Sequence, residues 1–179
     1  IEKSLLLVKH ELDTNRIAVV KELDPALPEL SLDEFKIQQV FVNLFTNALH
    51  AMEHDGEITV RASIETLARG RHVGHRDTDR FRPDEQAVVV RIEDTGPGIP
   101  APHLEKLFDP FFTTKPTGKG TGLGLSVSRQ IVEMHGGAVE IGNRDGGGAR
   151  VTLIFKLGHN GAHHGETTQH KETAHSARG

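Results

Sequence analysis

The chain has 179 residues, a net charge of −4 and no cysteine. That length suits one domain with a sizeable core, and the charge offers no attractive field to nucleic acid or an anionic membrane. Without cysteine there are no disulfides, thiolate metal sites or cysteine nucleophiles. No apolar run approaches the roughly 18 residues of a membrane span, and no signal peptide is visible. The chain starts at Ile1 rather than methionine. We therefore expect a cytoplasmic piece of a longer protein, whose remaining sequence has room for membrane anchors.

Ile1–His10 is apolar at helical spacing (Leu5, Val8, Leu12), as the end of a preceding helix or linker over residues 1–11 would be. Arg16–Leu23 reads as a strand, ended by Asp24-Pro25. Ser31 and Glu34 have capping-box spacing and predict a helix running to about Glu53. Within it Ile37, Val40, Phe41, Leu44, Ala48 and Met52 form an apolar side, while Gln39, Asn43, Asn47 and His50 form a polar stripe. Glu57–Ile64 and Ala87–Glu93 read as strands. The polar residues between them, 66 to 86, read as a long, mobile, peripheral hairpin loop.

A short helix is expected at Pro102–Leu107, and a longer one from Leu123 to His135, stopped by Gly136-Gly137. Ala138–Ile141 and Ala149–Phe155 read as the last strands, around a turn at Asn143–Gly148. In the final strand Ala149, Val151, Leu153 and Phe155 alternate with Arg150, Thr152 and Ile154, which predicts one buried face. From Gly158 the sequence lacks apolar periodicity and reads as a disordered tail over 158–179. Its histidines (His159, His163, His164, His170, His175) have no helical pairing that would favour a metal over solvation. The element order gives an α/β sandwich with helices on one face of a mixed, mostly antiparallel sheet, over residues 12–157.

Four segments carry chemistry. Asn43 and Asn47 lie four apart on one helix face, so both amides can address one bound group, although such pairs are often only solvated polars. An amide oxygen is also a hard ligand of the kind Mg²⁺ accepts. Asp94-Thr95-Gly96-Pro97-Gly98-Ile99 ends a buried strand with a carboxylate able to accept from an exocyclic amine, beside glycines that admit a flat base. Phe108-Asp109-Pro110-Phe111-Phe112 anchors a loop carrying Thr114 and Lys115. Gly118-Lys119-Gly120-Thr121-Gly122-Leu123-Gly124-Leu125 opens a helix with free N–H groups suited to an anion. It is neither a Walker A loop, since Gly120 follows Lys119, nor a dinucleotide fingerprint, since Val127 replaces the last glycine.

In this order the segments resemble the N, G1, F and G2 boxes of sensor histidine kinases, within the GHKL superfamily that includes gyrase and Hsp90. The resemblance covers roughly residues 12 to 157 and implies the two-layer Bergerat sandwich, binding ATP and Mg²⁺. It implies Asn47 as the metal ligand, Asn43 as its companion facing the phosphates, and Lys115 as the third catalytic residue. Asp94 would read adenine, with Gly96, Gly98 and Ile99 shaping the base pocket. His50, Ala51, Phe108, Thr114, Gly120, Thr121, Gly122, Leu123, Gly124 and Leu125 complete the implied nucleotide site.

Superfamily hydrolases place a glutamate where this chain has Asn43, so the resemblance implies a kinase rather than an ATPase. A degenerate nucleotide-binding module is the alternative. His10-Glu11-Leu12-Asp13-Thr14-Asn15 looks like the phosphoacceptor box, but Asn15 stands where proline is usual and only 32 residues separate His10 from Asn43. The expected acceptor is therefore a histidine on a separate dimerisation domain of the same kinase. A response regulator would be the downstream partner, with a homodimeric full-length protein and a monomeric fragment.

Overall fold

The computed structural model describes residues 1–67, 81, 84–115 and 120–157. The expected tail, and all of the expected hairpin loop except Thr66, Leu67, Phe81 and residues 84–86, lie outside them. Nine elements follow in order: α1 (Glu2–Thr14), β1 (Ile17–Leu23), α2 (Glu34–Met52), β2 (Gly56–Thr66), β3 (Gln86–Asp94), α3 (Ala101–Leu104), α4 (Gly124–Met134), β4 (Ala138–Asn143) and β5 (Ala149–Lys156). The strands make one sheet in the order β1-β2-β3-β5-β4. Only β1 pairs parallel, with β2; the other neighbours are antiparallel. The expected mixed sheet with helices on one face is the architecture observed. Among the described residues no helix is long and apolar enough to cross a membrane.

Strand alternation sorts the sheet into two faces. Ile58, Val60 and Ala62 of β2, Val88, Val90 and Ile92 of β3, and Leu153 and Phe155 of β5 point to the helices. There they meet Val40, Phe41, Leu44, Phe45, Ala48 and Leu49 of α2, with Val8 and Leu12 of α1 and Ile131 and Val132 of α4. Each fully buried large side chain in such a cluster contributes about 1.5–3 kcal/mol. The boundary read at residue 12 falls inside α1, whose Val8 shares this core with Leu12.

Three local expectations change. The N-cap of α2 is Asp33 rather than Ser31, because the Asp33 carboxylate accepts from Lys36 N at 3.1 Å. Asp33 N in turn donates to His135 Nε2 at 3.1 Å, tying the start of α2 to the end of α4. Glu34 is left to pair with Lys3 of α1.

The second change is in β5. Thr152 and Ile154 are as buried as Leu153 and Phe155, so both faces of the strand are covered. Leu67 and Phe81, from the ends of the β2–β3 connection, pack on Ala87, Val89, Ala138 and Ile154 on the face away from the helices. Third, the short helix stops at Leu104 and gives way to turns before Leu107.

Lower on that far face the sheet carries charge. Glu93 is 2% exposed, and its carboxylate is paired by Arg61 of β2 and Arg150 of β5, with Arg144 Nε at 3.8 Å. Burial alone would raise the Glu93 pKa. The hydrogen bond from Arg150 and the charges of Arg150, Arg61 and Arg144 outweigh it, so the carboxyl is held below its usual range. Arg61 reaches on to Glu22 of β1 at 2.7 Å.

Candidate functional site

A cavity of about 490 Å³ opens between α2, the end of β3, the 107–115 segment and the start of α4. Its volume is in the range of small-molecule sites. One side is the polar stripe of α2, positioned because the opposite side of that helix is committed to the core. Asn43, Asn47 and His50 line the cavity along this stripe, with Ala51 one turn beyond Asn47. Asn43 Nδ2 lies 3.4 Å from both Gly124 O and Ser128 Oγ of α4. Asn47 Oδ1 lies 3.5 Å from Lys115 Nζ, which sits 2.9 Å from His50 Nδ1.

The ammonium is half-buried, and burial holds its pKa below the ordinary lysine value. Burial, and next the neighbouring Lys115 charge, lower the pKa of His50. With an ammonium as donor, Nδ1 of His50 is the acceptor. The same charge probes Asn47: its amide oxygen already has a cation beside it. The same oxygen is a hard donor of the kind Mg²⁺ accepts, and an ion bound there would take the place of the lysine.

The other end of the cavity is built around Asp94, the last residue of β3 and 7% exposed. Its Oδ1 accepts from Gly96 N at 2.9 Å and from Ala149 N at 3.1 Å. Among the described residues its carboxylate bonds fall on that one oxygen, which leaves the lone pairs of Oδ2 for a ligand. Arg144 Nη1 donates to the Asp94 carbonyl at 2.8 Å. The walls here are apolar, supplied by Ala48, Ile92, Ile141 and Val151. An apolar slot ending in a fixed carboxylate suits a flat base with an exocyclic amine.

The third wall joins the aromatic segment to α4. Phe111 N donates to Gly122 O at 2.9 Å, with Phe111 held at φ +69°. Gly122 is at φ +64°, and a Cβ there would run into the Phe111 backbone, so only glycine fits under this contact. Thr114, Lys115, Gly120, Thr121, Gly122, Gly124 and Leu125 all line the cavity. The N-terminus of an 11-residue helix, α4, therefore opens towards it. Gly118 and Lys119 lie outside the described residues.

The structure thus brings together most residues anticipated from sequence, including Gly98 and Ile99, and sets three aside. Gly96 braces Asp94 from behind. Leu123 precedes α4 and accepts from Val127 N at 2.9 Å. Phe108 lies under the Arg129 guanidinium, 4.9 Å from its ring centre, and it is Phe112 that lines the cavity, edge-on to His103 at 5.6 Å.

The turn expected at Asn143–Gly148 lies between β4 and β5, and sequence reasoning missed its part in the site. Asn143 closes on Ile99: its Oδ1 accepts from Ile99 N at 2.7 Å and its Nδ2 donates to Ile99 O at 2.9 Å. Gly148, at φ +87°, lies so close to the Asp94 carbonyl that a Cβ would overlap it. An asparagine before a glycine run signals only a turn.

Comparison with known proteins gives consistent results. Residues 32–159 match the family model of histidine kinase-, DNA gyrase B- and HSP90-like ATPases. Sensor histidine kinase ZraS of Escherichia coli O157:H7 is 36% identical over 153 residues, 86% of this chain and 29% of that protein. Sensor kinase CckA of Brucella abortus is 45% identical over 120 residues, covering 67% of this chain and 12% of that one. The chain thus spans less than a third of the length of these curated relatives. The solved catalytic domain of histidine kinase ThkA superposes with a TM-score of 0.68 at 30% identity, covering 87% of this chain and 88% of that one. ThkA is also solved in complex with response regulator protein TrrA; that kinase chain is 26% identical with a TM-score of 0.63, over 87% of this chain and 38% of its own.

Proposed function

Because the chain belongs to the histidine kinase-, DNA gyrase B- and HSP90-like ATPase family, as an ATP-binding catalytic domain of the histidine kinase kind, we propose that it transfers the γ-phosphoryl group of ATP to a histidine on a separate dimerisation domain. The observation that carries the reading is the polarity of the cavity. One end offers a fixed carboxylate at an apolar slot, and the other offers amides, a lysine and a helix N-terminus.

In this reading Asp94 Oδ2 accepts from the adenine amine while the slot holds the ring. The phosphates run towards Asn43, Asn47 and the start of α4, where Lys115 meets their charge. Asn47, with Asn43 as companion, would hold Mg²⁺, which when bound neutralises phosphate charge. The acceptor imidazole nitrogen attacks the γ-phosphorus as the bond to the β–γ bridging oxygen breaks, and ADP leaves with that oxygen's electron pair. No carboxylate occupies position 43: Asn43 is turned onto α4 and has no site to take a proton from water. Water is therefore poorly activated, whereas an imidazole needs little activation.

His10 sits exposed on α1, a helix packed into the core, and is not the acceptor in this proposal. The full protein acts as a cytoplasmic or membrane-anchored homodimer, this portion alone is monomeric, and a response regulator receives the phosphoryl group; the ThkA complex supports the last point.

The test is calorimetric titration with a non-hydrolysable ATP analogue, with and without Mg²⁺. It is paired with labelled ATP and a histidine-bearing dimerisation domain supplied in trans. Binding tightened by Mg²⁺, with acid-labile label on the supplied domain alone, is expected. Binding without transfer would reduce the chain to a nucleotide-binding module, and phosphate release without an acceptor would make it an ATPase.

A further inference from the structure

We propose that Asn143 is a positioning residue for the nucleotide base, acting through Ile99; this deepens the ATP-site reading and rests on it. The wall between Asp94 and α3 has no regular structure, and apart from Ile99 its side chains are small or cyclic: Thr95, Gly96, Pro97, Gly98 and Pro100. Such a segment has little packing of its own to fix its path. Three of its residues, Gly98, Ile99 and Pro100, nevertheless line the cavity with Asp94.

The path is fixed from outside. Asn143 presents an acceptor to Ile99 N at 2.7 Å and a donor to Ile99 O at 2.9 Å, as a neighbouring strand would. A primary amide is the side-chain group that offers both at this separation. Asn143 is itself fixed, since it ends β4 in register with Ala149 of β5, and Arg144 N closes the turn onto Gly148 O at 3.0 Å.

The same turn grips the other end of the wall. Arg144 Nη1 holds the Asp94 carbonyl and Ala149 N holds Asp94 Oδ1. One rigid turn therefore sets the distance between the carboxylate that meets the base edge and the backbone that meets its face. Asn143 does not line the cavity, so it acts by holding these two groups in register and not by touching the ligand.

The test uses the whole chain with Asn143→Ala and Asn143→Asp. The second is isosteric but has no donor for Ile99 O, and serves if the first folds poorly. Dissociation constants are measured for adenosine and for a non-hydrolysable ATP analogue, the latter with and without Mg²⁺. Both ligands are expected to weaken by the same factor, about 10-fold in Asn143→Ala for loss of two hydrogen bonds and less in Asn143→Asp, which keeps the acceptor for Ile99 N. The tightening produced by Mg²⁺ should remain at its wild-type ratio, and Ile99 amide exchange should accelerate.

A purely structural role would lower Tm and leave the dissociation constants of the folded protein unchanged, and that result overturns the proposal. So does a loss confined to the Mg²⁺-dependent part. If the wild-type chain bound no adenine ligand, the ATP reading would fall and take this one with it. Wild-type binding with unaltered variants overturns this inference alone.

Discussion

At the proposed base end of the cavity, Asp94 and Ile99 are held by five hydrogen bonds between 2.7 and 3.1 Å, four of them supplied by the β4–β5 turn and the start of β5. At the proposed phosphate end, Asn43 and Asn47 make contacts of 3.4–3.5 Å, and two basic side chains face each other. The two ends are built for different cargo. An uncharged ring brings little electrostatic energy, so the protein must fix the groups that read it beforehand. A polyphosphate brings several negative charges and can draw Lys115 and the asparagines into place on arrival. Tight geometry therefore belongs where the ligand is weakly charged, and slack geometry where the ligand organises the site.

Four substitutions test that contrast. Glu93→Gln should cost the most, about 3 kcal/mol of stability, because it leaves Arg61, Arg144 and Arg150 converging on a neutral group beneath the base end. That is the low end for a broken buried pair, since Arg61 and Arg150 are themselves about 40% exposed. The pH dependence carries the same signature. With the Glu93 pKa lowered in the fold, its stabilisation is complete above the unfolded-chain value of about 4.3 and is lost as pH falls through the lower folded value. Thermal melts from pH 7 to pH 3 should show that acid loss in the wild type and a flatter profile in the variant.

Asp94→Asn should cost about 2 kcal/mol of ATP affinity, roughly 30-fold, with the Mg²⁺ response intact. An equal loss of the Mg²⁺ response would mean the two ends are not separable. Lys115→Gln should weaken ATP analogue binding about 5- to 10-fold at low salt, less at high salt, and leave adenosine unaffected. A matching loss for adenosine would place Lys115 at the base instead. Asp33→Ala removes the α2 cap and should lower stability by about 1 kcal/mol, while both ends bind as before.

Much of this was legible because local rules and the fold agree. The helix carrying Asn43 and Asn47 follows from its apolar stripe, and the β-branched run Val88–Val90 marks a strand buried on both faces. The order of the four segments then located the cavity. Misreadings arose where one segment's environment is set by another far away in sequence. Nothing in β5 announces that Ile154 is covered by Leu67 and Phe81, 87 and 73 positions earlier. Phe108 and Phe112 are equally aromatic, and their different settings come from Arg129 on α4 over one ring and His103 beside the other. The amide of Asn143 reaches back 44 residues to Ile99, beyond any spacing rule.

The contact between Asp33 N and His135 Nε2 has a mechanical consequence. It ties α4 to α2 by a hydrogen bond at one end, Ile131 and Val132 pack the middle into the core, and at the other end the two helices touch through the long Asn43–Gly124 and Asn43–Ser128 contacts. From His135 back to Gly124 the helix is about 16 Å long at 1.5 Å per residue. A tilt of about 10° around the fastened end carries the glycine end through about 3 Å, a hydrogen-bond length, over that arm. In engineering terms such a tilt would make α4 a lever, with its fulcrum at His135 and its working end at the cavity. A change at that fulcrum, outside the cavity, would then alter the gap between Asn43 and Gly124 from a distance.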